Sequence, residues 1–395
     1  MGWKDWVYGD LVSAADFQSL VQDQTVQRYA SSSARSAALG SAVAEGMVSY
    51  LDSTNQVEVY DGSSWTSISS AGSGNAVING AFDIWQRSTS FTMPNTDTQY
   101  GAADRWLYWH NGSTAGTNVI SRQTHTRGQT LVPGNPTYFQ RWTSTTLGSG
   151  QTISDFQTKI EDVGTFAGQT VTLSFYSASS TAGKTIDVYF TQIFGSGGST
   201  AVDTTVTTAA TLTTGFARYT VTVTLPSISG KTVGAGDNLR IILRLNGPTA
   251  GMTWDLSNVQ LEAGSSATSF KRNAPSIQGE LAACQRYYWR NTRSGAFNAI
   301  GGNGFTYSST NGYVQIAPPV PMRTTPTSID FSSIRIADQA NAAFNISAVA
   351  LTGEGADANA SAFTLGVTVS GATSGRYFYL QTSGSNGYLG LSAEL

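Results

Sequence analysis

Residues 169–177, QTVTLSFYS, decide the reading of the fold. Side chains alternate across a strand, so Val171, Leu173 and Phe175 share one face and the small polar residues take the other. The same alternation recurs outward from this stretch. In FARYTVTVTLP (216–226), Tyr219, Val221, Val223 and Leu225 line up, and TIDVYFTQIF (185–194) supplies another strand. NLRIILRL (238–245) is apolar almost throughout, as a strand covered on both faces would be, and so reads as central. MTWDLSNVQLE (252–262) changes phase between Trp254 and Val259, which predicts a β-bulge. Long strands, glycine-rich turns and no helical periodicity make residues 75–272 an antiparallel β-sandwich of jelly-roll type.

Composition agrees. Of 395 residues, 12% are charged, and the net charge of −3 provides no basic field for a nucleic-acid backbone. Forty-two glycines with abundant Ser and Thr suit many short strands joined by turns. No apolar run is long enough to span a bilayer, and MGWKDWVYGDL at the start lacks the pattern of a secretory signal. The lone Cys284 excludes an intrachain disulfide, and with only His110 and His125 available a zinc centre is not expected.

Before the sandwich, residues 1–45 read as helical. Ser13 is placed to cap AADFQSLVQDQTVQRYA, whose Phe17, Leu20, Val21 and Tyr29 lie near one face, and SARSAALGSAVAEG follows as a weaker helix. Trp3, Trp6 and Tyr8 have two readings: they dock this end onto another protein or a neighbouring copy, or they pack on the chain's own helix. Residues 46–74 read as a β-hairpin with a third strand carrying Trp65, followed by the linker SSAGSGNA. After the sandwich, residues 273–292 predict a connecting helix started at Pro275. Ile277, Leu281, Cys284 and Tyr288 fall at spacings of four, three and four. That seam either lines a symmetry axis between copies or covers an open face of the sandwich. Residues 293–395 return to strands and form a C-terminal β-domain, with the end of the chain tied down on a strand.

The stretch 79–106 concentrates Phe82, Ile84, Trp85, Arg87, Asp104, Arg105 and Trp106. An Asp-Arg-Trp triplet beside a second arginine suggests a carboxylate held by a guanidinium fork under an indole, and the competing reading is a structural corner. FDIWQRSTSFT (82–92) followed by ADRW (103–106) resembles a segment of phage tail-fibre and related virion fibre proteins. So do WDLSNVQLEAGSSATSFKR (254–272) with ELAACQRYYWR (280–290), then PVPMRTTPT (319–327) and the ending YLGLSAEL (388–395). The resemblance implies a virion location and a non-enzymatic structural or receptor-binding subunit. It further implies a homotrimer whose N-terminal region meets other virion proteins. The strand 254–262 also resembles the last strand of carbohydrate-binding-module jelly rolls. That implies sugar binding and a structural calcium, for which Asp83, Asp255 and Glu262 are the oxygen donors at hand, although no EF-hand-like spacing supports one.

Catalytic patterns fail in turn. Carboxylates are scattered, the adjacent pair Glu161-Asp162 points to opposite faces of a strand, and neither histidine is accompanied by a Gly-x-Ser-x-Gly turn. Surplus aromatics suit binding better, because sugar rings stack on flat aromatic faces. Trp109, His110, Asn111, Tyr138 and Trp142 are the glycan-binding candidates. The expectation is therefore a receptor-binding fibre or adhesin subunit that contacts host glycan without catalysis. The alternative is a purely structural capsid fibre or decoration protein.

Overall fold

Val171, Leu173 and Phe175 point into a single core, each 0% exposed. The computed structural model describes residues 11, 13, 26–53, 56–67, 74–93, 98–113, 116–356 and 361–395. It divides into Met1–Ser73 and Gly74–Leu395. The chain is mainly β, with two short helices among the described residues.

In the first unit, β1 (Gln27–Tyr29), β2 (Val48–Leu51), β3 (Gln56–Tyr60) and β4 (Trp65–Ser67) form one sheet in that order. Helix α1 (Ser32–Leu39) begins where the Ser31 hydroxyl accepts from Ala34 N at 3.2 Å. It presents Arg35 to the sheet, where the guanidinium donates to Ser49 Oγ (2.8 Å), pairs with Glu58 and lies 3.9 Å from the Trp65 ring centroid. The hairpin and its third strand are as expected. The first predicted helix is not borne out at its end: Tyr29 is in a strand, because residues 27–29 pair in parallel with residues 49–51. The rest of that helix, including Phe17, Leu20 and Val21, lies outside the described residues, as do Trp3, Trp6 and Tyr8.

The second unit opens with β5 (Ser90–Thr92), β6 (Gln99–Tyr100), β7 (Trp106–His110), β8 (Thr117–Thr124), β9 (Tyr138–Thr146) and β10 (Ile153–Glu161). It continues with β11 (Thr170–Ser179), β12 (Thr185–Ile193), β13 (Val202–Thr211), β14 (Ala217–Thr224), β15 (Asn238–Asn246) and β16 (Met252–Ala263). These make two six-stranded antiparallel sheets, β13-β12-β15-β10-β7-β6 and β14-β11-β16-β9-β8-β5. Between them Trp106, Trp142, Trp254, Phe156, Phe175 and Phe190 are at most 1% exposed. Each such side chain contributes roughly 1.5–3 kcal/mol of burial. The central strand β15 lies between β10 and β12, as its apolar run predicts. The phase change in β16 is a bulge. Asn258 and Val259 oppose the single residue Phe175, and Asn258 takes φ +47°.

Helix α2 (Ile277–Gln285) follows, started by Ser276, whose hydroxyl accepts from Gly279 N at 3.1 Å. Beyond it come β17 (Tyr288–Arg293), β18 (Ala299–Thr306), β19 (Asn311–Ile316), β20 (Ser328–Ser332) and β21 (Ile334–Asp338). The last are β22 (Ala343–Asn345), β23 (Ala348–Ala356), β24 (Phe363–Thr368), β25 (Tyr377–Thr382) and β26 (Gly387–Ser392). A three-stranded sheet, β17-β26-β20, and a seven-stranded sheet, β22-β21-β25-β18-β19-β24-β23, enclose a second core that includes Ile336, Leu365, Leu380 and Leu391.

Candidate functional site

The stretch 79–106 is a structural corner. Asn79 adopts φ +57°, and its amide donates to Ile84 O (2.8 Å) and Asp104 O (2.9 Å), folding the segment back on itself. Asp104 is not held by an arginine fork: its carboxylate accepts from Gln86 N at 2.9 Å and from the Gln86 amide. Burial pushes its pKa up to about 6. Arg105, 1% exposed, instead pairs with Glu394 and stacks 3.5 Å from the Tyr287 ring centroid. Arg87 reaches the same carboxylate at 3.2 Å and lies 3.5 Å from the Tyr288 ring. Arg323 donates to Ala393 O (2.9 Å) and Glu394 O (3.0 Å). Buried Glu280 accepts from Ala274 N and Asn79 N, which ties α2 to the corner.

The separate motifs thus meet in one clasp. Arg87 and Arg105 come from the first, Tyr287 and Tyr288 from the second, Arg323 from the third and Glu394 from the last. The clasp fastens the C-terminal strands to the sandwich: Glu394 is held by Arg87 and Arg105, and Arg323 is held by backbone carbonyls.

Strand alternation sorts the predicted glycan residues. On β7 Trp106, Tyr108 and His110 face the core while Leu107 and Trp109 face outward. His110 is 2% exposed, with its ring edge-on to Trp142 at 6.2 Å, and Trp142 is 1% exposed and donates to Asn118 Oδ1 at 2.9 Å. Both are core residues. Asn111 closes a turn, accepting from Thr152 N (2.8 Å) and Ile153 N (2.9 Å). Tyr138 belongs to the other sheet, where Arg122 covers its ring at 4.4 Å. Only Trp109 stays on an outward sheet face.

That face carries partners the sequence reading missed. Asp155 on β10 is paired across the sheet with Trp109 on one side and Arg244 on the other, and Arg244 is paired with Asp187 on β12. Arg244 grips Asp155 with two bonds, Nε–Oδ1 at 2.9 Å and Nη2–Oδ2 at 2.8 Å. Its guanidinium lies 4.8 Å from the Tyr189 ring and 5.5 Å from the Trp109 ring. Burial raises the pKa of Asp155, and Arg244 opposes that rise. Trp109 and Tyr189 stand on strands three spacings apart, about 14 Å. Between them Gln157 Oε1 has no hydrogen-bond partner, and neither does Arg240 Nε on the next strand. At the far end Lys159 donates to Leu395 O, and burial lowers its pKa to about 8. The face therefore combines two partly exposed rings with a fixed guanidinium–carboxylate pair.

The remaining predicted groups do not converge. Asp83 pairs with Arg272 (2.8 Å), Asp255 with Arg141 (2.7 Å), and Glu262 accepts from Thr268 N (2.8 Å). Among the described residues no group of three His, Cys, Asp or Glu side chains is placed to hold a metal ion. Cys284 and Tyr288 are 0% and 1% exposed, filled by their own unit, whereas Ile277 is 50% exposed and Leu281 is half-buried. These four residues do not form a continuous outward seam, because Tyr288 has left the helix for β17. His125 lies between Phe139 and Phe216, with Ser257 Oγ at 3.1 Å, and burial lowers its pKa to about 4. No described helix is long and apolar enough to cross a membrane.

Fold and site together define an antiparallel β-sandwich protein with an aromatic, charge-bearing outer sheet face. No protein-family model and no curated protein matches the sequence. Solved structures with similarity include the enzymatically active domain of tailspike protein 4 of bacteriophage CBA120. That match has a TM-score of 0.31 and 14% identity over 48% of this chain and 22% of the tailspike, so it spans about a fifth of the tailspike's length. TmCBM61 in complex with β-1,4-galactotriose matches with a TM-score of 0.28 and 11% identity over 48% of this chain and 99% of that one. A cyclase from Fischerella sp. TAU in complex with 4-(1H-indol-3-yl)butan-2-one matches at 0.32 and 12%, over 49% and 98%. At these scores the likenesses carry no argument about activity or ligand.

Proposed function

We propose that the chain is a non-enzymatic, saccharide-binding fibre or adhesin subunit of a virion, working as a homotrimer that contacts host-surface glycan. The observation that carries the binding role is the Trp109–Arg244–Tyr189 face. Two rings supply stacking surfaces, Arg244, held in fixed geometry by the buried Asp155, offers donors, and half-buried Asp187 beside it offers acceptors for vicinal hydroxyls. The virion assignment rests on the ordered motifs of the sequence. Their residues meet in the clasp, as expected of groups that set the shape of a rigid subunit rather than its chemistry.

The test is a glycan array probed with the full chain and with Trp109→Ala and Tyr189→Ala. Saccharide retention by the wild type, reduced about tenfold or more in either variant, is the expected result. Retention unchanged in both variants excludes this face. Absence of any glycan or host-cell binding returns the chain to the alternative, a structural virion component. Sedimentation equilibrium of the full chain tests the trimer.

A further inference from the structure

The seven-stranded C-terminal sheet turns alternate residues outward, and four of them, Phe305, Tyr313, Tyr377 and Tyr379, are aromatic, with Tyr307 just past the end of β18. Phe305 on β18 is directly opposite Tyr313 on β19 and Tyr377 on β25, so three rings form a row across three strands. Tyr307 stacks on Tyr313 at 4.6 Å and 28°, and Tyr379 follows Tyr377 along β25. Phe305, Tyr307 and Tyr379 are 43–46% exposed, and Tyr377 is 70% exposed. Solvent-facing apolar groups gathered in this way mark a binding surface rather than a packing residue left over.

The rings do not form a flat plate. Tyr377 stands as a wall between two clefts of about 300 and 370 Å³, at the lower end of the roughly 300–1,000 Å³ of small-molecule sites. One cleft runs between Phe305, Tyr313 and Tyr377 with Asn303, Gln315 and Thr364 on its walls. The other runs between Tyr377 and Tyr379 with Asn303, Ala337 and Gln339. Among the described residues no charged side chain lines either cleft. The polar groups are amides and hydroxyls, which both donate and accept. Such a lining complements a ligand that has an apolar ring face, hydroxyls around it and no formal charge.

We infer that this face is a second saccharide site, selective for uncharged sugars, with Tyr377 separating two adjacent subsites and Asn303 reaching both. It differs from the sandwich face, where charged side chains lie between the rings, and it stands on its own geometry whether or not that face binds.

The experiment introduces Tyr377→Ala into two backgrounds of the full chain, the wild type and Trp109→Ala, the second of which removes the contribution of the sandwich face. Each is titrated calorimetrically with a panel of neutral oligosaccharides (cellohexaose, maltoheptaose and a β-1,4-galactan hexamer) and sedimented in parallel. Binding of at least one of these, weakened about tenfold or more by Tyr377→Ala in both backgrounds, is the expected result. Because Tyr377 is exposed, its loss leaves the fold intact, which an unchanged denaturation midpoint verifies. If no panel member binds, or if Tyr377→Ala leaves affinity unchanged, the site is overturned. It is equally overturned if Tyr377→Ala dissociates an oligomer, which would make the face a contact between copies. A loss caused by Trp109→Ala and not by Tyr377→Ala assigns the binding to the sandwich face and overturns this one.

Discussion

Glu394→Gln tests the clasp most severely. The carboxylate is 6% exposed and faces Arg105, 1% exposed, and Arg87, 12% exposed, so its removal strands two guanidinium groups away from water. Breaking a buried ion pair by deleting one partner costs about 3–5 kcal/mol. Arg105 retains only its bond to Lys159 O at 2.8 Å and the Tyr287 ring beneath it, so the loss falls in that range rather than in the 0–1 kcal/mol of a surface pair. Guanidinium denaturation followed by tryptophan fluorescence provides the number, and a double-mutant cycle with Arg105→Met isolates the pair. In the doubly substituted chain much of the loss is recovered, because the stranded charge has gone. A loss below about 1 kcal/mol for Glu394→Gln, or strict additivity in the cycle, would falsify the reasoning.

Three other outcomes follow from the geometry. Gly80 sits where an added Cβ would meet Val259 O at 2.1 Å, so Gly80→Ala destabilises the corner by about 1–3 kcal/mol or more in thermal unfolding, and an unchanged midpoint would refute the packing described. Asp104 has a folded pKa of about 6, above its ordinary value, so the unfolded state binds fewer protons between those values. Its burial penalty is complete above pH 6 and absent below about pH 4, so stability from this group rises as pH falls through that window, by up to about 3 kcal/mol. Unfolding curves should lose that slope in Asp104→Asn. Asn258→Ala places alanine at φ +47° in the β16 bulge and should cost about 1–2 kcal/mol in the same assay, with Asn258→Gly far milder.

Strand identity was legible because it rests on local alternation. QTVTLSFYS, NLRIILRL and the phase change in β16 each carried their own signal. The failures share a physical cause. WLYWH has bulky residues in both phases, so alternation alone could not tell that His110 faces the core and Trp109 faces outward. That choice depends on Trp142, which arrives from the other sheet. Tyr29 has a helix-compatible neighbourhood, yet a parallel pairing with residues 49–51 wins. Arg105 and Glu394 are 289 residues apart, so no local pattern could pair them. Of the two readings of the stretch 79–106 the structural corner holds, built on Asn79, and the carboxylate held by a guanidinium fork does not. The missed face was half-visible: Asp187 and Tyr189 alternate with core residues in TIDVYFTQIF, as Arg240 and Arg244 do in NLRIILRL, but their juxtaposition with Trp109 exists only once the sheet is assembled.

The most direct test of binding at the sandwich is a crystal structure of the full chain grown with a saccharide retained on the array. A sugar ring lying against Trp109 or Tyr189, with hydroxyls bonded to Arg244 or Asp187, is the expected result. A sugar seated instead at Tyr138, or a bound saccharide that leaves the Trp109–Tyr189 face bare, would contradict it.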